Sequence, residues 1–174
     1  MSKKEVIILD ASAFISGFDP LSVHQTQYTV PAVKNELIPG SLPWIRLITA
    51  SEGGRLRIQQ PKSKVVRKIE EVSKTVGDLR VLSDADKQIL ALAFELKKAR
   101  EDPSIITDDY SMQNVASKLG VKFSALMTLG IRYRFQWIIY CPACHRKFPG
   151  DVRDKSCSIC GTILKRKPVD KVQV

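Results

Sequence analysis

Continuous apolar runs and stripes at helical spacing alternate along the first part of the chain. The run Val6-Ile7-Ile8-Leu9 has no polar alternation, as in a strand covered on both faces, and it closes on Asp10. A short helix over 11–15 is expected next, stopped by Gly17 and Pro20. Residues 28–30 form a brief extended piece before Pro31, which opens a helix at its first position and puts Glu36 on the second turn. Ser41-Leu42-Pro43 repeats that start signal, Gly53-Gly54 ends the helix, and 56–59 read as a second strand. Between 63 and 76, Val65, Ile69, Val72 and Val76 recur among Lys and Glu, predicting an exposed amphipathic helix. Ser83 caps a helix over 84–99 whose middle, Ile89-Leu90-Ala91-Leu92-Ala93-Phe94, is apolar nearly all round and so belongs under a sheet. A third buried strand over 105–107 exits through Asp108-Asp109; a helix over 111–119 closes at Gly120, and 121–125 give a last strand. This alternation predicts an α/β domain with a parallel sheet flanked by helices and right-handed crossovers. Ligands of such sheets sit at the carboxyl ends of the strands, where Asp10 and Asp108-Asp109 fall.

Beyond Gly130 the period changes to two. Tyr133, Phe135, Trp137 and Ile139 alternate with Arg132, Arg134, Gln136 and Ile138, and this strand delivers the chain into Cys141. All four cysteines follow, as Cys141-Pro-Ala-Cys144 and Cys157-Ser-Ile-Cys160 with twelve residues between the pairs. In a reducing compartment this spacing predicts one closed, tetrahedral Zn²⁺ site that organises a module too small to hold a core unaided. With His145 the first knuckle also spells a haem attachment sequence, which leaves the second knuckle unexplained; iron in place of zinc is the nearer rival. The expected division is a domain over 1–127, a linker and lead-in strand over 128–136, and a zinc ribbon with basic tail over 137–174.

Charge sharpens the picture. The chain carries a formal +10, and residues 131–174 hold 10 Lys and Arg against 3 acids. A nucleic acid is the expected partner, because each neutralised phosphate releases counterions. Arg132, Arg134, Arg146, Lys147, Arg153, Lys155, Lys165, Arg166 and Lys167 are the candidate RNA contacts, interleaved with Tyr133, Phe135, Trp137 and Phe148. The plainer reading makes Phe135 and Trp137 the small core of the ribbon. No run approaches the roughly 18–20 apolar residues of a membrane span, the N-terminus leads straight into a strand, and the tail lacks a long amphipathic helix. A cytoplasmic location away from membranes is expected.

Asp10, Glu36, Asp86 and Asp108-Asp109 each stand at an element boundary. Singly they have ordinary roles: Asp10 and one of Asp108 and Asp109 as helix caps, Glu36 as a solvated helix residue, Asp86 as the third residue after Ser83 in a capping-box-like arrangement. Together they need a cation, since two carboxylates about 4 Å apart repel by roughly 4 kcal/mol at an effective dielectric near 20. Mg²⁺ or Mn²⁺ suits hard oxygen ligands, and a metal-dependent nuclease reconciles clustered acids with a basic chain.

The set Ile7-Ile8-Leu9-Asp10, Val33-Lys34-Asn35-Glu36, Ser83-Asp84-Ala85-Asp86 and Thr107-Asp108-Asp109 resembles a PIN domain, the fold of many metal-dependent ribonucleases, over residues 1 to about 127. The resemblance implies metal binding by Asp10, Glu36, Asp86 and Asp109, with Asp108 the alternative fourth acid, and hydroxyl contacts from Ser12 and Thr107. The stretches 82–93 and 107–115, with the four-cysteine ribbon, look like the Nob family in its compact archaeal form. That likeness implies a cut at the 3′ end of precursor small-subunit rRNA, in a pre-ribosomal particle with assembly-factor proteins nearby. The rivals are a non-catalytic RNA-binding assembly factor and a toxin-type PIN ribonuclease; the ribbon argues against the toxin, since such toxins resemble the first domain alone.

Overall fold

The computed structural model describes residues 3–128, 130–131, 133–152 and 154–173. Five strands, β1 (Glu5–Leu9), β2 (Thr26–Thr29), β3 (Leu56–Ile58), β4 (Asp102–Ile106) and β5 (Lys122–Ser124), form one parallel sheet in the order β3-β2-β1-β4-β5. Helices α1 (Ala11–Ile15), α2 (Pro31–Glu36), α3 (Leu42–Glu52), α4 (Ser63–Val76), α5 (Asp84–Lys98) and α6 (Tyr110–Leu119) flank it. The chain steps outward from β1 to β3, then returns to lay β4 beside β1. Strand order therefore reverses between β1 and β4, and a parallel α/β sheet opens a crevice at such a point. Ile8 pairs with Ile105 and Leu9 with Ile106, so Asp10 and Thr107 leave the sheet side by side.

α5 packs against β1 and β4, burying Ile89, Leu90, Ala91, Leu92 and Ala93 completely, as the apolar sequence of its middle requires. Two strands start earlier than apolar runs predict. β2 begins at Thr26 because Gln27, though polar, is buried and donates its side-chain amide to the Pro20 carbonyl at 2.7 Å. β4 begins at Asp102, and Pro103 is tolerated there beyond the reach of β5, whose partners are Ser104, Ile105 and Ile106.

The C-terminal unit is a three-stranded antiparallel sheet in the order β7-β6-β8: β6 (Tyr133–Tyr140), β7 (Lys147–Phe148) and β8 (Lys165–Gln173). β6 runs unbroken through residues 136 and 137, with a bulge at that step. Every residue of β8 is exposed, so the basic tail is a strand that no apolar pattern announces. The core of this unit is Ile139, Cys141, Cys157 and Leu164, with Phe148 and Val152 against it. Phe135 and Trp137 are not part of it; they are half-buried and line a cavity shared with the first domain. That corrects their expected role as ribbon core.

Candidate metal centre

Asp10 is only 4% exposed. Its Oδ1 accepts the Ala11 N–H at 2.7 Å, capping α1, while Oδ2 accepts the hydroxyls of Ser12 and Thr107, each at 2.9 Å. Burial pushes its carboxyl above the usual range despite those bonds. Glu36, the last residue of α2, is shifted upward by desolvation and then by the negative charge of Asp10, against a hydrogen bond from Ser83. Asp86 lies on the first turn of α5, where Ser83 N–H donates to its Oδ2 at 2.7 Å in a capping box. Burial pushes Asp86 up to about 6, the charges of Asp10 and Asp109 add to the shift, and the bonds to Ser83 oppose it. Asp109, exposed, caps α6 by accepting the N–H groups of Ser111 at 2.6 Å and Met112 at 3.1 Å. Four acids from four separate elements are thus held within electrostatic reach of one another.

Among the described residues, none of these four carboxylates forms an ion pair with Lys or Arg. Uncompensated negative charge in a chain of net +10 fits a hard divalent cation as its partner. Among the described residues, these carboxylates do not converge as tightly as the four thiols described below.

Asp108 is used differently. Its Oδ1 accepts the N–H groups of Leu126 and Met127 at 3.0 Å and Thr128 at 3.1 Å, and its Oδ2 accepts the Ser16 hydroxyl at 3.1 Å. Desolvation works against its ionised form, but these bonds prevail and hold its carboxyl below the usual range. Of the adjacent pair, Asp109 is the one whose charge contributes to the upward shift of Asp86.

The four cysteines meet with all sulfur atoms within 4.8 Å of one another; Cys141 and Cys160 are 3.4 Å apart, Cys144 and Cys157 3.6 Å. Zn–S bonds of about 2.3 Å at tetrahedral angles put sulfurs roughly 3.8 Å apart, so the cluster fits that ion. The two knuckles repeat one geometry. Cys144 N–H points at Cys141 Sγ and Ile159 N–H at Cys157 Sγ, both at 3.4 Å. His145 and Gly161, each one residue past its knuckle, return an N–H to Cys141 O and Cys157 O at 2.9 Å, and both adopt positive φ. His145 thereby closes a turn; among the described residues it belongs to no metal cluster.

Of the predicted RNA contacts, Arg132 and Arg153 lie outside the described residues. Arg146, Lys147, Lys155, Lys165 and Lys167 are exposed, and Arg134 is half-buried on β6. Arg166 turns inward: it stacks over Trp137 at 4.4 Å and pairs with Asp78 at 2.6 Å. Asp78, 1% exposed, also accepts from the Asn114 amide, whose group clasps Phe135 N and O at 2.8 Å each. This clasp between the two units has no sequence signature beyond the turn at Gly77-Asp78. A separate cavity of about 820 Å³ is lined by Lys64, Arg67, Lys68 and Lys98 around Phe94 and shares no residue with the acids.

A parallel sheet whose β1 and β4 present acids at the point of strand reversal defines a PIN-domain protein, and residues 7–96 match the family model described as PIN domain of ribonuclease. The chain is 36% identical over 160 residues to "Endoribonuclease Nob1" of Methanothermobacter thermautotrophicus, covering 92% of this chain and 91% of that one. It is 34% identical over 172 residues to the Pyrococcus abyssi protein of that name, with 97% of each covered. The chain belongs to the Nob1 endoribonuclease family. A protein of Thermoplasma acidophilum named "Ribonuclease VapC1" is 35% identical over 162 residues, covering 92% of this chain and 77% of that one, so this likeness too reaches into the ribbon.

Proposed function

We propose that this protein is a divalent-metal-dependent endoribonuclease that cleaves single-stranded precursor rRNA at the 3′ end of the small-subunit rRNA. The observation that carries the reading is the set of four unpaired carboxylates at the strand reversal beside a strongly basic module. Asp10, Glu36, Asp86 and Asp109 would hold Mg²⁺ or Mn²⁺, which when bound neutralises phosphate charge and supplies the nucleophilic water. Ser12 and Thr107 orient Asp10 by fixing its Oδ2. One of these carboxylates would also accept the proton of the attacking water. In this reading residues 1–127 cut, 128–136 lead onward, and 137–174, held by one structural Zn²⁺, grip the RNA backbone through Arg146, Lys147, Lys155, Lys165 and Lys167. The protein would act in the cytoplasm on a pre-ribosomal particle, with assembly factors gating access; among the described residues no helix is long and apolar enough to cross a membrane.

One observation favours a second reading, a non-catalytic RNA-binding factor: Asp10 and Asp109 cap helices and Asp86 completes the capping box of Ser83. A mouse relative named "RNA-binding protein NOB1" aligns over 97 residues at 31% identity. End-labelled RNA spanning the 3′ end of the small-subunit rRNA, incubated with Mn²⁺ or with chelator, separates the two. The nuclease reading predicts specific cutting that needs the metal and falls by more than about 100-fold in Asp10→Asn with RNA affinity intact. Binding without cutting supports the second reading.

A further inference from the structure

Beside the acids, a cavity of about 520 Å³ opens where the first turns of α6 face the ribbon. Four aromatic rings stand in its wall, Tyr110 from α6 and Tyr133, Phe135 and Trp137 from β6, beside the charged pair Asp78 and Arg166. Tyr110 and Tyr133 remain 53% and 37% exposed, so their rings reach solvent, while Phe135 and Trp137 pack 5.4 Å apart deeper in. We infer that this cavity is a nucleobase pocket that takes one or two unpaired bases of the RNA strand next to the scissile phosphate.

Position, chemistry and size support the assignment. Tyr110 and Ser111 directly follow Asp109, whose carboxylate caps the helix that carries them. Ser111 and Asn114, on the same helix, stand in the cavity wall with Asp78. A strand crossing the acids would therefore pass the mouth of the cavity within a nucleotide or two. Arg166, the cation in the wall, pairs with Asp78 and lies over the Trp137 ring, while Lys171 lies 3.7 Å from the centroid of the Tyr133 ring. Aromatic and guanidinium planes are therefore what the wall presents, and stacking on such planes is how unpaired bases are held. The volume lies within the range of about 300–1,000 Å³ usual for small-molecule sites. Because the wall comes from both units, docking of the ribbon onto α6 completes the pocket, which gives the Asp78–Arg166 clasp a purpose beyond stability.

The inference rests on the proposed RNA substrate, and its test separates the two. Full-length zinc-bound protein carrying Asp10→Asn, which keeps RNA whole, is titrated into single-stranded oligonucleotides spanning the 3′ end of the small-subunit rRNA, each with one 2-aminopurine at a successive position. The expected result is quenching confined to one or two neighbouring positions, lost in Tyr110→Ala and Tyr133→Ala with affinity weakened about 5- to 150-fold, the effect of losing a base–aromatic stack. An abasic site at the quenched position should carry the same penalty and be indifferent to the tyrosine changes. Quenching at no position, quenching that survives both substitutions, or failure of the RNA to bind would overturn the pocket. Wild-type cleavage measured in parallel keeps the readings distinct: cutting without quenching removes the pocket and leaves the nuclease, whereas quenching without cutting does the reverse.

Discussion

Successive residues leaving a strand point in different directions, and the two carboxylates that follow β4 part accordingly. Asp108 spends its side chain on the 126–128 segment and Ser16, whereas Asp109 caps α6 and adds its charge to the upward shift of Asp86. Asp108→Ala is expected to cost about 1.5–3 kcal/mol of stability, the usual worth of hydrogen bonds to a charged group, read by chemical denaturation. Asp109→Asn should leave stability nearly unchanged, since Asn caps helices as well as Asp does, and lower cleavage by more than about 100-fold. Equal losses of cleavage in both, with stability intact, would contradict this division. Sequence pattern placed these acids at element boundaries but left open which of the two acts on Asp86, because that choice depends on a loop that begins 18 residues beyond Asp108. Asp78 was illegible for the same reason: its partners Asn114 and Arg166 are distant in the chain, and a buried Asp in a Gly-Asp turn looks like any solvated one.

At the scale of elements, periodicity revealed those whose burial is one-sided or complete. α5 and β1 stand where their apolar runs put them, and the Ser83 cap and Gly120 stop fall as expected. What stayed hidden were polar pieces made regular by their neighbours: Thr26 and Gln27 at the start of β2, Asp102 and Pro103 at the start of β4, and all of β8, which is ordered by pairing with β6 rather than by its own side chains. The junction of α4 with the ribbon shows how tightly such neighbours bind. Gly77 ends α4 at φ 77°, and a Cβ there would lie 2.2 Å from the Trp137 carbonyl oxygen. Gly77→Ala is expected to lower stability by more than the roughly 1–2 kcal/mol that a left-handed conformation costs an ordinary residue, because the ribbon must also move. Thermal unfolding with limited proteolysis of the junction checks this; an unchanged melting temperature would show that the two units do not touch at this point.

Across the whole molecule, two units of unequal self-sufficiency share the work. The first has an extensive core of its own, whereas among the described residues the core of the second is Ile139, Leu164 and two cysteines, with Phe148 and Val152 in support. Zinc removal by a strong chelator, or Cys157→Ser, is expected to unfold the ribbon while amide exchange protection in β1 and α5 persists. RNA affinity should fall, and its dependence on salt should flatten by about 0.7 in log–log slope for each phosphate that the ribbon no longer neutralises. Cooperative collapse of both units would refute that independence. The cysteine cluster was legible because its members come in two short spacings, while Asp10, Glu36, Asp86 and Asp109 are far apart in the chain and only the fold sets their separation.

Mn²⁺ titration followed by paramagnetic broadening of amide signals tests directly whether those carboxylates form one cation site. A single Mn²⁺ is expected to broaden Asp10, Glu36, Asp86 and Asp109 selectively. Asp86 is protonated below its raised value of about 6 and ionised above it, so affinity should weaken as pH falls through that range and be lost in Asp10→Asn. Broadening centred elsewhere, or unaltered by Asp10→Asn, would contradict a shared site.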